Sequence, residues 1–208
     1  MDIISLIVGF FQENAYLVRA RGGDEGLIVD PGDEADRILE AVRRTGLRPT
    51  AIVSTHGHLD HVGAAAELQE ALGLPFWLHA DDEFYLASLA EQALAFGLPP
   101  VRAPRVDRYL EDGGELAVGA ETVRVIHLPG HTPGGVGLYD GEALIAGDTL
   151  FAGSVGRTDL PGGDWDVLRR TLRERLLALP DATRVYPGHG PPTTIGAERG
   201  SNPFLLDL

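Results

Sequence analysis

The 208-residue chain has no cysteine, no lysine and a single methionine. Without cysteine it forms no disulfide, offers no thiolate to a metal and has no sulfur nucleophile. Any metal must be held by nitrogen and oxygen donors. Positive charge is scarce: seventeen basic residues, all arginine, stand against thirty-one acids, for a formal net charge of −14. That balance argues against nucleic acid or an anionic membrane as a partner. No apolar run approaches the length of a membrane span. The opening residues, MDIISLIVGFFQEN, carry neither a basic leader nor a small-residue cleavage pattern, so a cytoplasmic protein is expected.

What remains is an ordinary globular composition, 44% apolar, with length enough to bury a core. Residues 3–8, 15–20 and 27–29 read as strands, with Gly22 and Gly23 turning between the last two. Asp33 has the character of a helix N-cap. Ala35, Ile38, Leu39 and Val42 follow at helical spacing until Gly46 and Pro49. A short strand over 51–53 leads into THGHLDH, Thr55–His61. Beyond it the pattern predicts a helix over 63–72, a strand over 76–78, a helix over 81–96 and an irregular connector over 98–105. Residues 110–128 are strand-like with turns at 112–114 and near Gly119. Residues 136–139 and 143–146 form a hairpin around Asp140–Gly141. Trp165, Leu168, Leu172, Leu176 and Leu179 share one face of a late helix. Residues 183–186 are the last strand, and the tail after Pro191 has no pattern. Strands come as a run and then mix with helices in both halves. A two-layer sheet core covered by helices fits that order better than simple βαβ alternation. No linker or internal repeat divides the chain.

THGHLDH places three of the seven histidines within six positions. His56 and His58 are two apart, so in an extended segment they point to one side and can share a metal. Asp60 and His61 follow where the chain turns into a helix, and can serve a second. Gly57 removes bulk between the first pair. A histidine-rich surface loop is the plain alternative, but four potential donors in six residues at a strand end indicate a metal site. Three more donors follow other predicted strands: His131 in LPGHTPGG, Asp148 in IAGDTLF and His189 in VYPGHGPP. Each has a neighbouring glycine, which lets backbone pack close to a site. Two histidines fall outside this set. His127 alternates with Val123 and Val125 and reads as a satisfied core histidine, with an outer role around the site as the next choice. His79 ends FWLH near the rim. Asp30, in VDPG at a strand end, can support the site or simply shape a turn.

Taken together, VDPG (Val29–Gly32), THGHLDH, LPGHTPGG, GDTLF and YPGHG resemble the metallo-β-lactamase superfamily, in the family's order and across most of the chain. The resemblance implies an α/β (α+β) fold, a four-layer αββα sandwich forming a single domain over 1–208, with metals at one edge of the two sheets. It implies that His56, His58 and His131 hold one divalent ion, that Asp60, His61 and His189 hold a second, and that Asp148 bridges them. Zinc is the first choice, with iron or manganese as alternatives.

Within the superfamily the chain looks most like the glyoxalase II branch, chiefly through GDTLFAGSVGRTDLPGGD (Gly147–Asp164) and the closing NPFL (Asn202–Leu205). That implies hydrolysis of a small-molecule thioester such as S-lactoylglutathione by a metal-bridging hydroxide, with Asp60 also orienting the water. Arg157 stands where such enzymes present a basic residue to a substrate carboxylate; pairing with Asp159 or Asp164 is its structural alternative. The helical C-terminal domain that completes the glutathione site in full-length glyoxalase II is expected to be absent. The main rival is a persulfide dioxygenase, similar in the GRTD stretch, with one iron on His56, His131 and Asp148. A lactonase of the same fold is a further alternative. The sequence carries no indication of oligomeric state.

Overall fold

Leu27, Ile28 and Val29 are all fully buried, although successive side chains in a strand point to opposite faces. Their strand is therefore covered on both sides. In the computed structural model, which describes residues 1–206 and 208, it lies in the middle of a six-stranded sheet. The spatial order is β1 (Asp2–Val8), β2 (Glu13–Arg19), β3 (Glu25–Val29), β4 (Arg48–Val53), β5 (Phe76–His79) and β6 (Val106–Leu110). The first three strands pair antiparallel and the last four run parallel.

The second sheet begins with β7 (Glu115–Val118), β8 (Glu121–His127), β9 (Val136–Tyr139) and β10 (Ala143–Gly147), all antiparallel. After a small hairpin of β11 (Leu150–Phe151) and β12 (Ser154–Val155), the chain returns as β13 (Arg184–Pro187), parallel to β10. β14 (Thr193–Thr194) closes the edge.

Three apolar clusters define the layers. Val18, Leu27, Val29 and Val53 from the first sheet meet Leu116, Val123, Val125, Leu138 and Ile145 from the second. The opposite face of the first sheet, with Leu17, Ile28, Ile52 and Phe76, packs under Ile38, Val42, Leu68 and Leu89 of its helices. The outer face of the second sheet, with Leu128, Leu144 and Val185, packs under Leu168, Leu172 and Ile195. Helix, sheet, sheet and helix give the αββα sandwich expected from the sequence.

Several local expectations are corrected. Asp33 does not cap α1 (Ala35–Thr45): Glu34 occupies that place at φ 52° with no side-chain cap, while the Asp33 carboxylate accepts the Glu34 N–H. The helix expected over 63–72 is found as α3 (Ala65–Leu72), starting two residues later, and a separate single turn, α2 (Leu59–Val62), precedes it. The break follows from the Ala64 N–H, which donates to the Pro31 carbonyl at 2.9 Å and not to the turn before it. The segment 81–96 is likewise split, into a 3-10 turn at Ala80–Asp82, α4 (Glu83–Leu86) and α5 (Leu89–Ala95). The late helix α6 (Trp165–Thr171) is capped by the Asp164 carboxylate on the Val167 N–H. It runs on as a π-helical turn over Leu172–Leu176, so Leu179 lies beyond it. The tail holds β14 and α7 (Ile195–Ser201), capped by the Thr194 hydroxyl on the Ala197 N–H. Seven residues are too few for a clear helical period. No helix among the described residues is long and apolar enough to cross a membrane.

Candidate metal centre

The ends of β4, β8, β10 and β13 open onto one rim of the sandwich, and all seven predicted donors meet there. His56 and His58 lie in the loop after β4, and Asp60 and His61 in the single turn of α2. His131 follows β8, Asp148 follows β10 and His189 follows β13. The donor atoms of His56, His58 and His131 lie within 4.8 Å of one another, as do those of Asp60, His61 and His189. Asp148 forms a third such group with His56 and His61. The two half-sites expected from the spacing of THGHLDH are thus brought together, with Asp148 between them. Its Oδ1 is 3.3 Å from His61 Nε2, and its Oδ2 lies 3.7 Å from His131 Nε2 and 3.6 Å from His189 Nε2.

Outer contacts decide which way each ring presents its lone pair. The His131 Nδ1–H donates to the Arg157 carbonyl at 2.7 Å, which leaves Nε2 facing His58 Nδ1 at 3.0 Å. His56 Nδ1 is 3.2 Å from the Thr55 hydroxyl, which in turn donates to Asp30 at 2.8 Å. His61 Nδ1 lies 3.2 Å from Asp30 Oδ2 and 3.9 Å from Glu13 Oε1. Asp30 is fully buried and held at φ 50°, and its other oxygen accepts the Thr55 N–H. Asp30 therefore supports two of the site histidines as well as shaping its turn.

Burial lowers the His56 imidazole well below its ordinary range, helped by the neighbouring rings, and takes His58 down to about 4. Both stay neutral at neutral pH and keep a lone pair free. Burial alone would lower His61 too, but Asp148, Asp30 and Asp60 outweigh it and raise that ring. Burial would raise Asp60 and Asp148; His61 and the other rings outweigh it and hold both carboxyls ionised. His56 Nε2, His61 Nε2 and Asp148 Oδ1 are buried and have no hydrogen-bond partner. Each orphaned group of this kind costs about 1–3 kcal/mol. Converging imidazole and carboxylate atoms match the donor chemistry of divalent ions. The residues present fit such ions.

The amino-acid profile of the Metallo-beta-lactamase superfamily matches residues 8–189. The chain belongs to the metallo-beta-lactamase superfamily. Hydroxyacylglutathione hydrolase GloC of Haemophilus influenzae is 43% identical over 211 residues, covering 99% of this chain and 98% of that one. The superfamily fold recurs in the crystal structure of BLEG-1 B3 metallo-beta-lactamase, with a TM-score of 0.90, 38% identity and coverage of 98% and 99%. It recurs in TTHA1623 in a di-iron-bound form, with a TM-score of 0.88, 47% identity and coverage of 97% and 100%. Family, relatives and donor set jointly support a metal-dependent hydrolase.

Outside the seven donors, placement differs from residue to residue. The Arg157 guanidinium pairs side-on with Asp159, both contacts 2.6 Å, and is 63% exposed. What Arg157 brings to the centre here is its backbone carbonyl on His131. His127 is half-buried, not in the core. Its Nε2–H donates to the Pro133 carbonyl at 2.9 Å, and its ring stacks on His79 at 4.5 Å.

Sequence reasoning missed Asp82 altogether. This fully buried carboxylate accepts the Gly57 N–H at 2.9 Å and the Gly134 N–H at 2.6 Å, and so ties the loop of His56 and His58 to the loop of His131. It also missed Glu13, which is 1% exposed with both carboxylate oxygens unpartnered. A charged residue opening β2, two positions before its apolar run, was the available signal. Gly188 shows why small residues surround the centre: a Cβ there would lie 2.1 Å from Asp148 Oδ1.

Proposed function

We propose that the protein is a thioester hydrolase of the glyoxalase II type, acting on a small molecule such as S-lactoylglutathione, and that residues 1–208 do this as one domain. The observation that carries the reading is the pair of complete donor triads sharing Asp148. A one-iron oxygenase needs only His56, His131 and Asp148, and would leave His58, Asp60, His61 and His189 without a task. His56, His58 and His131 are assigned to one divalent ion, Asp60, His61 and His189 to a second, and Asp148 to both. When bound, such ions acidify a water and polarise the substrate carbonyl.

The chain's own groups supply the rest. The Arg157 carbonyl and Thr55 hold the His131 and His56 rings in the tautomers that face inward. Asp60, kept ionised by His61 and His189, accepts a hydrogen bond from the attacking water and aims its oxygen at the thioester carbon. That water gives up its proton to solvent, the C–O bond forms, the C–S bond breaks, and the thiolate leaves to be protonated by solvent. Zinc is the first choice and iron or manganese the alternatives, since all accept this donor set. On the His131 side, Arg157 is assigned to a substrate carboxylate in exchange for Asp159.

Metal content per chain, thioester cleavage and oxygen uptake on glutathione persulfide test the reading together. Two ions per chain with S-lactoylglutathione cleavage and no oxygen uptake are expected. One iron with oxygen uptake refutes hydrolysis in favour of a dioxygenase, and cleavage confined to lactones moves the assignment to a lactonase.

A further inference from the structure

Beside the centre, on the Asp60 side, lies a cavity of about 450 Å³. Its walls are the β1–β2 turn, the loop from β3 into α1, the start of α3 and the connector at 98–102. That volume suits a small organic group. Its polar lining is almost entirely acidic: Glu13, Asp33, Asp36, Asp60 and Glu67 all border it, and burial pushes the Glu13 carboxyl well above its ordinary range, which works against a charge there. Glu34 is a sixth acid, already paired with Arg37, and the one cation in the wall, Arg102, is paired outward with Glu70. Among the described residues, Asp33, Asp36 and Glu67 have no basic partner. Deepest is Glu13, whose two buried carboxylate oxygens have no hydrogen-bond partner.

The apolar part of the wall matches. Phe11, Leu59, Leu98 and Val101 line it, and the Phe11 ring packs edge-on against Phe10 and Phe96. Carboxylates around an aromatic face are the chemistry that recognises an ammonium on a short apolar stem, since the ring face attracts a cation and each unpaired carboxylate adds to the field. The same field repels a carboxylate-bearing group.

We propose that this cavity is a substrate subsite selecting an amine-bearing thiol portion, an ammonium held between Asp36, Glu67 and Phe11 with a Glu13 oxygen as a buried acceptor, while the thioester sits at the adjoining centre. The proposal rests on the hydrolase reading for its substrate but not for its binding chemistry. A zwitterionic thiol then fits the molecule from both sides, its ammonium in this cavity and its carboxylate toward Arg157.

The test compares two lactoyl thioesters of equal shape, one on thiocholine and one on its carbon isostere, 3,3-dimethylbutane-1-thiol. Neither rearranges to an amide. Each kcat/KM is divided by the uncatalysed hydroxide rate, because the ammonium acidifies the departing thiol. The corrected ratio favours the cation in the parent. In the Asp36→Asn, Glu67→Gln double variant, whose changes are on exposed positions, it falls by about threefold or more, the scale of two exposed charges. A second readout needs no turnover: choline and 3,3-dimethylbutan-1-ol are titrated by saturation-transfer NMR, and choline is expected to bind more tightly, losing that margin in the same variant. Equal corrected rates with active hydrolysis overturn the subsite and leave the hydrolase intact. If neither thioester is cleaved, the hydrolase reading is decided by the S-lactoylglutathione assay, and the two alcohols decide the subsite alone: equal binding overturns it.

Discussion

Replacing Asp82 by asparagine removes one charge and keeps the shape. The parent carboxylate accepts two backbone N–H groups, those of Gly57 and Gly134, from the two loops that carry His56, His58 and His131. An amide has one acceptor oxygen, so one of those bonds is lost and a donor faces a buried N–H. A hydrogen bond to a charged group contributes about 1.5–3 kcal/mol, and an orphaned buried N–H costs about 1–3. Burial already pushes the Asp82 carboxyl up from its ordinary value, which trims what the charge contributes. A net loss of about 2–4 kcal/mol follows. In a chain of this length that lowers Tm by roughly 5–15 °C. Because the lost tie connects the loops bearing the first triad, metal affinity is expected to fall about 10–100-fold. Calorimetry on metal-free protein reads the first effect and competition with a chromogenic chelator the second. The exposed neighbour Asp81→Asn serves as control and should stay within about 0.5 kcal/mol. An Asp82→Asn protein that melts like the parent and holds metal as tightly would falsify the clamp.

His189→Ala removes the group 3.1 Å from Asp60 and is expected to leave one metal per chain and no measurable thioester cleavage; full activity would instead support a one-metal mechanism. Arg157→Ala should raise KM for a carboxylate-bearing thioester by roughly threefold to tenfold with kcat little changed, since the His131 contact uses only backbone; an unchanged KM returns the side chain to its pair with Asp159. His61 and His189 are both raised in the metal-free protein and so carry protons near neutral pH. Metal loading should therefore release about one to two protons per chain, seen as buffer-dependent calorimetric heat, and affinity should rise with pH; heat independent of the buffer contradicts this. In the absence of metal, the raised His61 contributes stability that is full below its unfolded value and lost as pH climbs through the folded one.

The amino-acid order alone narrowed the candidate donors to imidazole and carboxylate groups at strand ends. THGHLDH, with His131, Asp148 and His189 each directly after an apolar run, is legible because donors at strand ends share a rim once the strands pair, whatever the details of the pairing. The layered fold was legible for the same reason: runs such as Leu27–Val29 with no polar face require cover on both sides. Local breaks were not. The gap between α2 and α3 arises from a bond to a distant loop, Ala64 N–H to the Pro31 carbonyl, and neither the split of 81–96 nor the π-helical turn after α6 has a mark in the local residue pattern.

The supports of the site were equally hidden. Asp82 is twenty-five positions from Gly57 and fifty-two from Gly134, and its neighbours in the chain are ordinary. Glu13 and the acids beside it become a cavity only when the β1–β2 turn, the entry to α1 and the connector at 98–102 fold against one another. Donor identity is a property of residue type and local spacing, which a chain carries wherever it folds. Which ring nitrogen faces inward, which carboxylate ties two loops and what charge surrounds the substrate depend on contacts between distant segments, and only the tertiary structure decides those.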